Sequence, residues 1–473
     1  MNENLLRVYH ALPPWTRSLV ATGRGMYLGF WRYNRQTDRM VEQAFEREEW
    51  DAKRWKSWQE ERLAFVLDRA ATKVPYYRAL WERRRRAGDR ASWHYLENWG
   101  ILEKGFLRSN PEAFVADDCR TKWMFAEHTS GTTAKPITLW RSRKVQRAWY
   151  ALLEARTRYW YRVTRHDRWG ILGGQLIVPV THREPPFWLW NHALHQLYMS
   201  SYHLAPDLAP YYLDAIKKYE VKYLLGYSSA LYFLAQQAMR LGRRDVKLTV
   251  AITNAEPLSQ LQRRVISEAF ECPVRETYGS AEIVGAASEC EHGQMHLWPE
   301  VGYLEQLDAG AMEDAIPGEL LCTGLLNTDM PLIRYRLGDC ANLETEVGKC
   351  SCGRMLPRMT GLEGRADDVL YTPDGRAVGR LDPAFKGSMP LHEAQIIQET
   401  LGRVRVLYVP ADGFSADTRD GLMRAIQEHM GSVEVVLEAV TQIPREKNGK
   451  FRAVISKVPL SKPGERAMGA SAG

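Results

Sequence analysis

The stretch LTVAITNAEPLSQLQRRVISEAF, residues 248–270, places a strand directly before a helix. Its first six residues form an apolar run, which is typical of a buried strand. From Ser259 to Phe270 the apolar residues recur at helical spacing, which predicts a helix. Similar segments surround it: WGILGG (169–174), YLLGY (223–227) and GELLCT (318–323) as strands, and Asp207–Tyr219 as a helix. This alternation predicts an α/β fold with strands buried between helices.

The chain is predicted to divide into a large multi-layer α/β domain and a small α+β domain. Residues 1–100 are helical, aromatic and basic, and we assign them to the N-terminal part of the large domain, whose α/β core covers residues 101–364. A strand–helix–strand pattern restarts after residue 376 and predicts a small C-terminal domain at residues 365–460. Residues 461–473 are predicted to form a disordered tail.

The composition is that of an ordinary soluble globular protein, with 45% hydrophobic and 26% charged residues among 473. The net charge of +7 suits an anionic substrate or a loose attraction to membranes, and it does not indicate nucleic-acid binding. No apolar run approaches the roughly 18 residues of a membrane span, and the N-terminus lacks the pattern of a secretory signal. The odd count of seven cysteines argues against a disulfide framework. These features predict a cytoplasmic protein.

The segment EHTSGTTAKP (127–136) is rich in Gly, Ser and Thr. Such a loop can turn several N–H groups and hydroxyls toward one anion, and Lys135 adds a positive charge. It differs from the GxxxxGK[ST] phosphate loop, because Gly131 is followed by Thr-Thr-Ala-Lys-Pro. Taken alone, the segment fits a phosphate-binding loop and a plain polar turn equally well.

Four further motifs follow in order: ETYGSAE (276–282), MPLIRYRLGD (330–339), GLEGRADD (361–368) and IPREKNGKFRAVIS (443–456). ETYGSAE is expected just after a strand and combines an aromatic ring with two carboxylates. The second motif ends in Asp339, which is suited to accept hydrogen bonds from sugar hydroxyls, and the last places Lys450 in a glycine turn. Each motif alone fits a β-turn, but their occurrence in this order indicates a shared site.

The cysteines suggest a second site. ECEHGQMH (289–296) contributes Cys290 with His292 or His296, and KCSCGR (349–354) contributes Cys350 and Cys352. Three thiolates and one imidazole form a closed tetrahedral set suited to structural zinc. The alternative is a scatter of reduced cysteines and surface histidines.

Together the motifs resemble the adenylate-forming superfamily of acyl-CoA synthetases, adenylation domains and luciferases. The chain looks most like the phenylacetate–CoA ligase branch and, more narrowly, is similar to adenylate-forming proteins associated with capsular and surface polysaccharide biosynthesis. Further supporting segments are KVPYYR (73–78), WGILEKGFLRSNP (99–111), YLLGYSSAL (223–231), LDPAFKG (381–387) and EAQIIQE (393–399). A similar Cys/His/Cys/Cys site occurs in the phenylacetate–CoA ligase branch, which favours His296 over His292.

The resemblance implies a loop that holds the β- and γ-phosphates of ATP, made of Thr129, Ser130, Gly131, Thr132, Thr133 and Lys135. It implies that another group surrounds adenine and ribose: Asn254, Ala255, Glu256, Glu276, Thr277, Tyr278, Gly279, Asp339 and Arg365. In that group Tyr278 would stack on adenine and Asp339 would bind ribose hydroxyls. Glu282 would hold Mg²⁺ and Lys450 would reach the α-phosphate, so the expected catalytic set is Lys450, Glu282 and Thr129.

The implied reaction is ATP-dependent adenylation of a carboxylic acid, followed by acyl transfer to CoA once the small domain rotates about a hinge at Asp367. Three other acceptors stay open, namely an amine, an amino sugar and a carrier protein, as does a non-catalytic nucleotide-binding scaffold. The implied partners are the acid, ATP and CoA; a homodimer and association with other polysaccharide-biosynthesis proteins are left open. The loop departs from the family pattern at Ala134, where glycine is usual, and alanine is strained if the backbone there needs a positive φ.

Overall fold

A computed structural model gives the fold of the chain. It describes residues 8–129, 137–174, 177–179, 181–256, 258, 260–307, 319–344, 348–363, 370–374, 377–378, 390–410, 413–441, 443 and 454–458.

The described helices are numbered in chain order. They are α1 Pro14–Arg32, α2 Arg35–Glu48, α3 Ala52–Lys73, α4 Pro75–Arg86, α5 Lys104–Ser109, α6 Arg143–Leu153, α7 Ala209–Lys218, α8 Ser228–Arg240, α9 Gln260–Phe270 and α10 Ala416–Met430. Short 3₁₀ segments join several of them.

The described strands are numbered in the same way. In the first part of the chain they are β1 Phe125–His128, β2 Thr138–Arg141, β3 Trp169–Gly173, β4 Trp188–Asn191, β5 Gln196–Ser200, β6 Tyr223–Tyr227, β7 Val250–Asn254, β8 Val274–Gly279, β9 Ala286–Glu289 and β10 Met295–Leu297. They continue with β11 Gly302–Gln306, β12 Glu319–Gly324, β13 Tyr335–Leu343, β14 Arg358–Glu363, β15 Leu370–Tyr371, β16 Ala377–Val378, β17 Leu391–Thr400, β18 Arg403–Pro410, β19 Glu434–Ala439 and β20 Val454–Ser456.

Capping residues and a proline set the ends of the N-terminal helices. Asn34 begins α2, since its side chain accepts a hydrogen bond from the Thr37 N–H at 3.0 Å. Asp51 begins α3 by accepting from the backbone N–H three residues later at 2.7 Å. Helices α3 and α4 meet at Val74, which has an extended backbone because Pro75 disfavours helical geometry in the residue before it.

A twelve-stranded mixed sheet organises the large part of the chain, in the order β11-β12-β13-β14-β10-β9-β8-β7-β6-β3-β5-β4. The five strands β5, β3, β6, β7 and β8 are parallel, and the remaining neighbours are antiparallel. Helices α7, α8 and α9 connect successive parallel strands and pack on the sheet. The chain leaves β3 toward β5 on one side and returns to β6 on the other, so β3 and β6 flank the switch point where such sheets bind ligands.

A separate four-stranded sheet, in the order β19-β18-β17-β20, lies in the C-terminal part. Helix α10 covers it through the fully buried Leu422, Ile426 and Met430. Tyr202, from the large part of the chain, belongs to the same apolar cluster, and its ring meets that of His429 edge-on at 4.6 Å. The two sheets are therefore packed together next to Tyr202.

The predicted α/β fold class, with a large N-terminal and a small C-terminal part, is confirmed. The strands expected at 223–227 and 169–174 are present, the second ending at Gly173. One placement was wrong: the first four residues of ETYGSAE do not follow β8 but form its last four residues. They stay in the strand because they pair with β7 on one side and β9 on the other. Among the described residues, no helix is long and apolar enough to cross a membrane.

Candidate functional site

The candidate site lies at the carboxyl ends of β6, β7 and β8. Directly after β7, Ala255 adopts a left-handed backbone with φ of 66°, which turns the chain sharply between Asn254 and Glu256. The Glu256 carboxylate accepts a hydrogen bond from the Ser228 hydroxyl at 3.2 Å, which joins this turn to the first residue of α8. Among the described residues, nothing donates to the buried Asn254 Oδ1, although buried acceptors rarely lack a donor.

The side chains of Glu276 and Thr277, on β8, form hydrogen bonds with the backbone on either side of this turn. The Glu276 carboxylate accepts from the Leu258 N–H at 3.2 Å, and the Thr277 hydroxyl donates to the Thr253 carbonyl at 2.8 Å. Burial raises the pKa of Glu276, partly offset by the hydrogen bond from Leu258. Both side chains therefore have backbone partners that help to hold the turn after β7, and their contact with a nucleotide stays a prediction.

Tyr278 and Asp339 meet across the sheet. The Tyr278 hydroxyl, on β8, donates to Asp339 Oδ2, on β13, at 2.9 Å. Three strands separate β8 from β13 in the sheet order, so the sheet must curl for these side chains to touch. The residues expected at the adenine ring and at the ribose are thus direct neighbours, and Gly279 lies at the end of the same strand.

Glu282, three residues after β8, is buried. Its Oε1 accepts a hydrogen bond from the fully buried Tyr335 hydroxyl at 3.1 Å and lies 4.0 Å from the Lys104 ammonium. Ile283, the next residue, has a left-handed φ of 53°. The carboxylate expected to hold a cation is therefore fixed by one hydroxyl and one lysine.

Thr129, directly after β1, pairs with Ile137, directly before β2. Its N–H donates to the Ile137 carbonyl, and its hydroxyl accepts from the Ile137 N–H, both at 3.0 Å. Arg141 is the last residue of β2, at the other end of the hairpin formed by β1 and β2. Its guanidinium lies 3.8 Å from the Glu127 carboxylate and donates to the Ala281 carbonyl. Since Ala281 directly precedes Glu282, the hairpin is tied to the segment that carries the buried carboxylate.

Several expected site residues lie outside the described residues. They are Ser130, Gly131, Thr132, Thr133, Ala134, Lys135, Arg365, Asp367 and Lys450, together with the predicted tail at 461–473.

Two tyrosines and a glycine occupy the switch point between β3 and β6. A Cβ atom on Gly174 would lie 3.0 Å from the Tyr227 hydroxyl and 3.1 Å from the Tyr202 hydroxyl. Glycine is therefore the residue that lets both hydroxyls approach the backbone after β3.

Cys290, His296, Cys350 and Cys352 come together in a second site, with their ligand atoms all within 4.8 Å of one another. Cys352 Sγ lies 3.4 Å from His296 Nε2, while His296 Nδ1 is 3.2 Å from the Leu356 carbonyl. Donation from Nδ1–H to that carbonyl leaves Nε2 as the free lone pair facing the thiols. Burial lowers the pKa of His296 to about 4, which keeps the imidazole neutral at physiological pH. The geometry selects His296 over His292.

Comparison with known proteins identifies relatives of the chain. Residues 370–457 match the family model of the CapK C-terminal domain. Protein CapK of Staphylococcus aureus is 28% identical over 300 residues, which cover 61% of this chain and 64% of that protein. The chain is similar in sequence to CapK and to phenylacetate–CoA ligases. Among the latter, the Thermus thermophilus phenylacetate–coenzyme A ligase is 30% identical over 247 residues, or 45% of this chain and 54% of that protein.

The chain thus matches less than two thirds of the length of each of these two relatives. Among solved structures, it resembles 2-hydroxyisobutyryl-CoA ligase in complex with 2-HIB-AMP and CoA, with a TM-score of 0.55 at 20% identity, covering 87% of this chain and 91% of that one. At this identity the likeness concerns the fold. The family resemblance inferred from the motifs is confirmed.

Three residues of the site were not identified from the sequence: Lys104, Arg141 and Tyr335. Lys104 lies in WGILEKGFLRSNP and Tyr335 in MPLIRYRLGD, so both motifs were recognised without a role for these side chains. Only the fold shows that both side chains converge on Glu282.

Proposed function

We propose that the chain is an AMP-forming acid ligase, which adenylates a carboxylic acid with ATP and then transfers the acyl group. The observation that carries the proposal is a pair of hydrogen bonds that join the end of β8 and the residues after it to β13, from Tyr278 to Asp339 and from Tyr335 to Glu282. The aromatic ring of Tyr278 suits stacking on a base, and the Asp339 carboxylate suits the hydroxyls of a ribose. The buried Glu282 carboxylate suits a cation bound to phosphate. The homology to phenylacetate–CoA ligases supports the same reaction class.

Nucleotide binding would use the groups around the turn after β7. The Asn254 Oδ1 acceptor, which no described residue satisfies, suits the exocyclic amine of adenine, because an amine donor would relieve a buried unpaired oxygen. Tyr278 would offer its ring face to the base and orient Asp339 through its hydroxyl. Asp339 would then accept hydrogen bonds from the ribose hydroxyls.

The first chemical step is attack of the substrate carboxylate on the α-phosphorus of ATP. The new bond joins carboxylate oxygen to phosphorus, the bond to the β-phosphate oxygen breaks, and pyrophosphate leaves. The nucleophile is already ionised, so no general base is needed. Charge on the phosphates must be neutralised, and we assign this to Lys450 and to residues 129–135.

Glu282 fits a magnesium site, because a buried carboxylate is the hard oxygen ligand that Mg²⁺ prefers. Mg²⁺ bound there would neutralise phosphate charge during the attack. Tyr335 and Lys104 would keep the carboxylate oriented, with Lys104 as a second positive charge 4.0 Å away.

The acyl group would occupy the switch point beside Gly174, Tyr202 and Tyr227. For the acceptor we propose CoA, by analogy with the phenylacetate–coenzyme A ligases and 2-hydroxyisobutyryl-CoA ligase. The second candidate acceptors are an amine, an amino sugar and a carrier protein, since the similarity to CapK specifies no acceptor.

The cluster of Cys290, His296, Cys350 and Cys352 would hold structural Zn²⁺. Three thiolates and a neutral imidazole within 4.8 Å fit a closed tetrahedral site once a cation draws them inward. The metal would fasten the turn at residues 290–296 to the turn at residues 350–354, and it would take no part in the reaction.

ATP–pyrophosphate exchange with a panel of carboxylic acids tests the proposal. Exchange that depends on one class of acid, followed by CoA-thioester formation, is the expected result. Exchange without thioester formation would exclude CoA as the acceptor and favour an amine, an amino sugar or a carrier protein. Measurable ATP binding with no exchange for any acid would refute the enzymatic proposal in favour of a nucleotide-binding scaffold.

A further inference from the structure

Helix α1 presents a continuous apolar face to solvent. Four large side chains on one side of it are more than half exposed: Trp15 67%, Leu19 57%, Met26 66% and Phe30 56%; Val20, at 51%, lies farther round the helix. At about 100° per residue the four fall within a sector of roughly 60° around the helix axis. Exposed apolar side chains are normal singly, but a row of four on one helix face marks an interaction surface.

The opposite face of α1 is fixed to the edge strand β4. The Trp190 N–H donates to the Ser18 hydroxyl at 3.3 Å, and Asn191 Nδ2 donates to the Ala21 carbonyl at 3.0 Å. A Cβ atom on Gly25 would lie 2.2 Å from Asn191 Oδ1, so glycine allows the close approach of helix and strand. The helix cannot roll to bury its apolar face without losing these contacts.

The surroundings of this face are positively charged. Residues 4–37 contain five arginines and no Asp or Glu, although Arg17 among them is buried. The exposed Arg24 guanidinium lies over the Tyr27 ring at 5.1 Å, and that of the exposed Arg143, from α6, lies over the Phe30 ring at 4.1 Å. Lys144 next to it is exposed as well. Arg143 thus borders the apolar face at Phe30, and Arg24 borders the exposed ring of Tyr27 farther round the helix.

We propose that this face docks the protein on a bilayer surface that contains anionic lipid, with α1 lying in the interface. An apolar stripe with tryptophan, bordered by arginine and lysine, is the pattern of helices that lie in the headgroup region. The apolar side chains would enter the boundary with the acyl chains, while Arg24, Arg143 and Lys144 would pair with lipid phosphates. Arginines within the helix itself, such as Arg24, are incompatible with spanning the bilayer.

A second copy of the chain is a poorer occupant. In a two-fold contact the same patch meets itself, so the cations that border one face would be brought toward those of the other. With no acidic residue in 4–37, this segment could offer no opposite charge to compensate. An anionic lipid surface supplies that charge at every position. The docking surface is independent of the proposed ligase reaction.

Flotation of the full chain with vesicles tests the proposal. Wild-type protein is expected to float with vesicles of phosphatidylcholine and phosphatidylglycerol, to bind pure phosphatidylcholine weakly, and to be released by high salt. The partition coefficient of the double variant Leu19→Glu, Met26→Glu onto these mixed vesicles should be at least about tenfold lower than that of the wild type. Arg24→Glu with Lys144→Glu should lose the preference for anionic vesicles.

Leu241→Glu is the matched control, since Leu241 is 46% exposed at the end of α8 and should leave flotation unchanged. Circular dichroism and a retained melting temperature would show that the variants are folded. Equal flotation of wild type and the double variant would overturn the proposal. A wild-type dimer that ignores vesicles and dissociates in the double variant would instead assign the face to a second copy.

Discussion

Replacing Tyr278 by Phe removes one hydroxyl and leaves the aromatic ring in place. That hydroxyl donates to Asp339 Oδ2 at 2.9 Å. A hydrogen bond to a charged group contributes about 1.5–3 kcal/mol, and about 1.4 kcal/mol corresponds to a factor of ten. If the bond orients Asp339 toward the ribose, kcat/KM for ATP should fall at least about tenfold in Tyr278→Phe. Stacking of the ring on adenine should be unaffected.

A double-mutant cycle with Asp339→Asn measures whether the two side chains act as one unit. Each single variant and the double variant are compared by ATP–pyrophosphate exchange, with ATP varied at saturating acid and the acid varied at saturating ATP. If the Tyr278 hydroxyl acts only through Asp339, its removal has no further effect once Asp339 has been replaced. The double variant should therefore have about the activity of the less active single variant. Tyr211→Phe, on the exposed side of α7, is the control and should retain wild-type kinetics.

The refuting result is additivity. If the two effects on kcat/KM sum to within about 0.5 kcal/mol, the side chains are independent and the hydrogen bond does not serve nucleotide binding. A change in KM for the acid with an unchanged KM for ATP would equally contradict the assignment of both residues to the nucleotide.

Three further predictions concern other parts of the molecule. Gly174→Ala should raise KM for the acid about tenfold with little change for ATP, since the new methyl group would lie 3.0 Å from the Tyr227 hydroxyl; equal changes in both constants would contradict this. The double variant Cys350→Ser, Cys352→Ser should purify without zinc by elemental analysis and melt at a lower temperature, and undiminished zinc would remove the metal proposal. Lys450→Ala should abolish adenylation while sparing thiolysis of a supplied acyl-adenylate, whereas equal loss of both half-reactions would exclude the assigned role.

Much of the parallel sheet could be predicted from the sequence because its strands are short apolar runs between helices. YLLGY forms β6 with the predicted bounds, and the helix predicted at Ser259–Phe270 is described from Gln260 to Phe270. The antiparallel half was less predictable. Its strands, such as β9 at Ala286–Glu289, contain polar residues that are nonetheless buried, because other elements cover both faces. Neither a continuous apolar run nor a regular alternation therefore marks them.

The site was predictable as a set of motifs and not as a set of contacts. Asp339 and Glu282 were identified, but their partners depend on how the sheet curls, which periodicity does not report. Lys104 illustrates the difference, since it precedes Glu282 by 178 positions in the numbering and yet lies 4.0 Å from its carboxylate. The four zinc-ligand candidates were easier to group, because Cys290 and His296 flank one short hairpin turn while Cys350 and Cys352 lie together near another, each with a glycine.

The site also depends on backbone conformations that could not be predicted from its sequence. Ala255, Ile283 and Arg334 all have left-handed φ angles, of 66°, 53° and 46°, although none is a glycine. Each such residue costs roughly 1 kcal/mol or more, so surrounding contacts must hold it in place. The three residues adjoin Glu256, Glu282 and Tyr335, in that order, and a sharp turn of the backbone beside each redirects its side chain relative to the strand. Four other described non-glycine residues, Arg162, His195, Glu220 and Glu271, also have left-handed φ angles, but each follows the end of a helical segment. The three at the site instead adjoin two acidic groups and the hydroxyl that holds one of them, so the backbone turns there help to set the directions of these side chains.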